Sequence, residues 1–197
     1  HKSLQETLRE GGEIIRNSMQ QKGKILVPSF ALGRTQQILF YLARAIDRGK
    51  LPELEVYLDS PMAIEATRIY LKYPELFDAD MNELYNSGVI KGDLSRIYAT
   101  ESSEESKAIN EVEGPCMIIA GSGMCNAGRI LHHLRHNLSD PKTTVMFVGY
   151  QAEGSLGRKL SDGAKTVKIW GEEIEVNAQI AKMSGLSAHA GQSDLKK

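Results

Sequence analysis

A chain of 197 residues fits one domain, or one large domain with an appendage. Hydrophobic residues make up 41% and charged residues 25%, ordinary globular usage that calls for a packed core rather than disorder. A formal net charge of −1 and a pI near 6.6 exclude a global drive toward nucleic acid or membrane. Any polyanion contact has to come from a few well-placed Arg, Lys and backbone amides. No apolar run approaches the roughly 18 residues of a membrane span, and the start lacks a charged-then-apolar signal pattern. Cys116 and Cys125 form no CxxC pattern. They read as reduced thiols rather than a disulfide framework or zinc knuckle, and the chain is expected to be soluble and cytoplasmic.

In chain order, Ser3-Leu4-Gln5-Glu6 has the form of a capping box. Leu4, Leu8, Ile14, Ile15 and Met19 recur at roughly helical spacing, with Gly11-Gly12 weakening the middle. Lys24 to Pro28 predicts a buried parallel strand. The polar turn Ser29 to Gln36 then leads into an amphipathic helix with Ile38, Leu39, Leu42 and Ile46 inward, ending at Gly49. Arg34 falls near that helix's N-terminus. Glu55 to Leu58 predicts the next strand, followed by Asp59-Ser60-Pro61, an N-cap with proline at the first helical position. Helices are expected from Met62 to Tyr73 and Pro74 to about Ser87, a loop over Gly88 to Asp93, and an edge strand over Arg96 to Ala99. Thr100 to Glu105 starts a helix carrying Ala108, Ile109 and Val112.

Met117 to Ala120 predicts a buried strand, followed by the glycine turn Gly121-Ser122-Gly123 and a helix opening near Ala127-Gly128. Thr144 to Val148 is another apolar strand, ending in the turn Gly149 to Arg158. Thr166 to Trp170 and Glu173 to Ile180 predict a hairpin around Gly171-Glu172. The fold class expected is α/β: a three-layer, mostly parallel, Rossmann-like sheet flanked by helices, with a C-terminal antiparallel hairpin. In such a sheet the ligand crevice lies outside the carboxyl ends of the strands. Three polar, glycine-containing turns belong there: Ser29 to Thr35, Gly121 to Gly128 and Gly149 to Arg158.

A strand ending in small residues before a helix exposes several amides at one point, a ready site for phosphate. The glycines could also serve only a tight turn; the clustering of three such turns favours phosphate. Gly121, Gly123 and Gly128 give GxGxxxxG, close to the dinucleotide fingerprint. The next strand, however, ends in Gly149-Tyr150 with no acid for a ribose, and no Walker sequence exists. His132 and His136 are four apart on one helix face, a spacing that can hold a metal. HHLRH lacks the glutamate of HExxH, so an exposed surface without metal is expected. His189 stands in a Ser-Ala-His-Ala-Gly turn after a strand, where an imidazole can give or take a proton. Ser187 donates from the same side of that turn.

Together these segments resemble the β-CASP domain of RNA-processing metallo-β-lactamase-fold nucleases. The matching stretches are Val27 to Gln36, Tyr57 to Ala63, Ala120 to Met124, Gly128 to Leu134, Val148 to Gln151 and Ser187 to Ala190, in family order over nearly the whole chain. The family's HxHxDH zinc motif is absent. The resemblance therefore implies a β-CASP domain over residues 1–185 and, over 186–197, a junction toward a metallo-β-lactamase domain of the same parent chain. It implies a zinc-dependent ribonuclease hydrolysing RNA phosphodiesters, with two Zn2+ bound by that other domain and no metal ligand here. By the same resemblance His189 is the general acid or phosphate donor and Ser187 a phosphate contact. Gly121, Ser122 and Gly123 hold neighbouring phosphates, with Arg34 and Arg129 as further contacts. Partners expected are RNA and the metallo-β-lactamase domain, with a homodimer open and no membrane. A scaffold that has lost catalysis, and a Rossmann-like nucleotide binder, are the alternatives.

Overall fold

The computed structural model describes residues 3–86 and 97–186. The first helix, α1 (Leu4–Gln20), opens on the expected capping box: Ser3 Oγ accepts from Glu6 N at 3.2 Å, and Ser3 N donates to Glu6 Oε2 at 2.8 Å. Strand β1 (Lys24–Pro28), α2 (Arg34–Asp47), β2 (Glu55–Asp59) and α3 (Pro61–Leu71) follow, then α4 (Ala79–Asn86), β3 (Ile97–Ala99) and α5 (Ser103–Ala108). Next come β4 (Cys116–Ala120), α6 (Ile130–Asn137), β5 (Thr144–Phe147), α7 (Leu156–Ser161), β6 (Thr166–Ile169), β7 (Glu172–Glu175) and β8 (Gln179–Lys182). The loop expected over Gly88 to Asp93 lies outside the described residues.

Six strands form one sheet in the order β3-β2-β4-β1-β5-β8, every pair parallel. The central strands are near-continuous apolar runs because helices cover both faces. On one face Ile25, Val27, Met117 and Ile119 pack with Ile15 of α1 and Ile38, Leu39 and Leu42 of α2. On the other, Leu26, Ile118, Val145 and Phe147 pack with Ile130 and Leu134 of α6 and Leu160 of α7. These are the three expected layers. Truncating one fully buried strand residue, such as Ile119 to alanine, would cost about 2–5 kcal/mol.

The hairpin differs from expectation in its second half. β6 and β7 pair antiparallel across Trp170-Gly171, both at positive φ (51° and 85°), as a type I′ turn requires. The stretch Glu173 to Ile180 is not one strand. The Leu138 carbonyl accepts from the amides of Asn177 and Ala178, both at 2.9 Å, which peels the chain away after Glu175. Gln179 N then donates to Thr143 O at 2.8 Å, and Gln179–Lys182 becomes the parallel edge strand β8 beside β5. Gly11, which weakens α1 by propensity, is a packing site: a Cβ there would lie 2.5 Å from Met183 Cε, just past β8.

Candidate nucleic-acid site at the β1–β4 switch point

Neighbouring strands β1 and β4 run in register, Pro28 opposite Ala120. The helix after β1 lies on one face of the sheet and the helix after β4 on the other. The two chains therefore part company at their carboxyl ends, and a crevice opens there, the usual place for a ligand in an open parallel sheet. Ser29 and Phe30 form one wall and Gly121-Ser122-Gly123 the other.

The first wall is rigid. Ser29 N donates to Ala120 O at 3.0 Å, and the Phe30 carbonyl accepts from Thr35 N at 3.3 Å and Thr35 Oγ1 at 2.8 Å. The opposite loop is closed on itself. Ser122 N donates to Ala127 O at 3.1 Å, Cys125 N to Ser122 O at 3.1 Å, and Asn126 N and Ala127 N to Ser122 Oγ at 3.2 and 3.3 Å. Helix α6 starts at Ile130, not near Ala127-Gly128, because this turn consumes the residues between. Of the amides read as a phosphate cradle, that of Ser122 is spent inside the loop. Those of Gly123 and Met124 have no partner among the described residues. Gly123 is flush against Phe30: a Cβ there would stand 2.9 Å from two ring carbons. Gln151 Nε2 ties the third turn in, donating to Gly123 O at 2.9 Å and Gly149 O at 3.4 Å.

Arg129 does not reach into this crevice. Its Nη1 donates to Asp59 Oδ1 at 2.7 Å and Thr100 O at 2.9 Å, and its Nη2 to Glu101 O at 2.8 Å. Asp59, wholly buried at the end of β2, is a hub. Its Oδ1 also accepts from Thr100 Oγ1 at 2.5 Å; its Oδ2 accepts from Ser106 Oγ at 2.6 Å and lies 2.7 Å from His133 Nε2. His133 Nδ1 in turn lies 3.0 Å from Asn110 Oδ1. Burial works to raise the Asp59 pKa, but the hydrogen bonds from His133, Ser106, Thr100 and Arg129 prevail and hold it down at about 2. The carboxylate is thus charged and shared among β2, β3, α5 and α6. Sequence reasoning passed over this hub. Its signal was the row Arg129, His133 and Asn137, three polar residues four apart on the apolar face of one helix.

Arg34 sits at the start of α2, with Nη1 donating to Gln37 Oε1 at 2.6 Å and to the Leu186 carbonyl. Its guanidinium thereby tethers the short helical turn Ser184–Leu186. Ser187 and His189 follow directly in sequence and lie outside the described residues.

Among the described residues no group of three His, Cys, Asp or Glu could hold a metal. The His132 ring packs tilted against Trp170, centroids 4.4 Å apart, and His136 Nδ1 lies 2.8 Å from His132 O. Cys116 and Cys125 are free and buried, and burial pushes their thiols up to about 11 and 12, out of reactive range. No helix among the described residues is long and apolar enough to cross a membrane.

The Beta-Casp domain family matches residues 35–160, and the family described as Zn-dependent metallo-hydrolase RNA specificity domain matches residues 173–197. Ribonuclease TTHA0252 of Thermus thermophilus is 40% identical over 195 residues, 99% of this chain and 45% of that protein. An RNase J-like protein of Methanocaldococcus jannaschii is 34% identical over 93% of this chain and 41% of its own length. A transcription termination factor FttA of Methanosarcina mazei is 32% identical over 92% of this chain and 29% of its own length. The chain spans less than half of each of these relatives. With the family matched over most of its length, the chain belongs to the β-CASP family and is a β-CASP domain of the RNA-processing nuclease type.

Proposed function

We propose that this chain is the RNA-binding half of a zinc-dependent ribonuclease that hydrolyses RNA phosphodiester bonds, and that the metallo-β-lactamase half is carried by the rest of the parent chain. The observation that carries the reading is the convergence at one sheet end. The Ser29-Phe30 wall, the Gly121–Gly123 loop and the Arg34 tether to Leu186 all gather where the chain runs on toward Ser187 and His189. A switch-point crevice walled by backbone amides suits a strand of phosphates gripped locally, as a near-neutral chain requires. The relatives' names, a ribonuclease and an RNase J-like protein, support RNA as the substrate.

In this reading His189 donates a proton to the scissile phosphate or its leaving oxygen, Ser187 holds the same phosphate, and the Gly123 and Met124 amides hold a neighbouring one. Arg34 and Arg129 act one step back: the first fixes the segment that leads to His189, the second fixes the wall around Thr100. The described residues do not fit a zinc ion, so the two Zn2+ of the reading belong to residues outside them.

Two measurements test it. The 197-residue chain alone, given RNA with zinc or manganese, is expected to show no turnover; clear metal-dependent turnover would overturn the division of labour. In the full-length parent, His189→Ala is expected to lower kcat about 100-fold or more with zinc content unchanged. Cleavage at the wild-type rate would remove His189 from the chemistry. A second reading is a scaffold that has lost catalysis; some relatives are named transcription termination factor rather than ribonuclease. Degenerate HxHxDH residues in the parent would select it.

A further inference from the structure

Phe30 is the part of the crevice that the phosphate reading leaves unused. Phe30 is 49% exposed, yet its carbonyl accepts twice from Thr35, and the residue before it, Ser29, is pinned through its amide to Ala120 O. One edge of the ring rests on Gly123, where any Cβ would stand 2.9 Å from Cδ2 and Cε2. An aromatic on a loose loop means nothing by itself. This one is anchored and seated on a glycine, so it has little freedom left to lose when something binds. In the turn after the neighbouring strand, β5, Gln151 Nε2 donates to Gly149 O and to Gly123 O, which ties the turn that carries Tyr150, 68% exposed, to the glycine loop. Two exposed aromatic residues thus follow adjacent strands, β1 and β5: Phe30 seated on Gly123, and Tyr150 in a turn that Gln151 ties to the same loop.

Backbone amides that grip a phosphate displace few counterions, so base stacking beside them adds affinity for a single strand that a local phosphate grip alone does not supply. We propose that Phe30 and Tyr150 are stacking platforms for unpaired RNA bases, whose phosphates run along the glycine loop. The proposal rests on the RNA-binding reading above. Base-on-aromatic stacking tolerates sequence, because every base has a π-face, and it selects single-stranded over duplex RNA.

The test uses the full-length parent protein and a fluorescent single-stranded RNA, read by anisotropy across salt concentrations. A companion set of RNAs carries one abasic nucleotide at successive positions. Phe30→Ala and Tyr150→Ala are each expected to weaken binding about ten-fold with an unchanged salt slope. That loss should vanish for one abasic position and persist for the others. Phe30→Tyr, which keeps the ring, is expected to bind as wild type. Binding by both alanine variants within two-fold of wild type would overturn the proposal, as would equal losses on every abasic RNA. A lowered Tm with RNA affinity intact would assign the ring instead to a protein surface that also covers Leu32 and Met62, 64% and 66% exposed. If wild-type protein binds none of these RNAs, the RNA reading fails first and takes the stacking with it; if wild type binds and the rings do not matter, only the stacking fails.

Discussion

Asp59 keeps its charge in a place where burial opposes it, and the opposition is overcome by four donors rather than by one ion pair. That arrangement makes an isosteric change severe. In Asp59→Asn the Arg129 guanidinium loses its charged partner, and an NH2 on the far side forces the Ser106 hydroxyl and the His133 ring to turn from donors into acceptors. The expected cost is about 3–5 kcal/mol, the range for breaking a buried charged network by removing one partner. Equilibrium urea unfolding of the parent protein measures it, and a loss under about 1 kcal/mol would show that the hub relaxes around the amide. The pH dependence follows with a definite sign. The folded pKa of about 2 lies below the ordinary carboxylate value of 3.8. The contribution of Asp59 is therefore complete above pH ~4 and is lost as pH falls toward 2; it amounts to about 2 kcal/mol. The gap between wild type and Asp59→Asn should accordingly narrow when the unfolding is repeated near pH 3.

At the scale of elements, the entry to α6 turns on Gly128. It sits at φ +81°, and a Cβ there would stand 2.4 Å from the Gly121 carbonyl oxygen, which itself accepts from Ile130 N at 3.0 Å. Gly163 has a similar φ of +87° with nothing within 4 Å, so it isolates the backbone term. Gly163→Ala should cost about 1 kcal/mol and Gly128→Ala at least about 2. Equal losses would mean that the loop moves freely away from the new methyl. The same loop shows what was legible in the chain and what was not. Strands β1, β2, β4 and β5 announce themselves as short apolar runs, and α1 and α2 as amphipathic periods, because two covered faces force those patterns. Helix α6 starts later than its sequence predicts because hydrogen bonds at Ser122 close a turn whose residues look helical. The sequence does not separate β8 from the hairpin because Gln179–Lys182 is an edge strand with only one neighbour, half exposed and without an apolar run. The decision to leave the hairpin is made by the Leu138 carbonyl, distant in sequence, and no local pattern records it.

For the whole molecule, the question is how a rigid sheet end hands its geometry to the segment proposed to do chemistry. The chain leaves β8, turns over α1 with Gly185 close against Thr7, and is caught at Leu186 by the Arg34 guanidinium. Three residues later comes His189. Its sequence position suggested that Arg34 grips phosphate; its contacts suggest that it aims the next segment. The two roles separate in Arg34→Ala of the full-length parent. Loss of a phosphate contact raises Kd and flattens the dependence of log Kd on log salt by about one unit, since one fewer counterion is displaced. Loss of a tether leaves binding alone and misplaces the reacting group, where even about 1 Å costs as much as 100-fold in rate. We expect the second: kcat down about ten-fold or more, RNA affinity within about two-fold of wild type, and an unchanged salt slope. A Kd raised ten-fold with the slope reduced by one, at unaltered kcat, would return Arg34 to the phosphate role and leave Leu186 held by the packing of its own buried side chain.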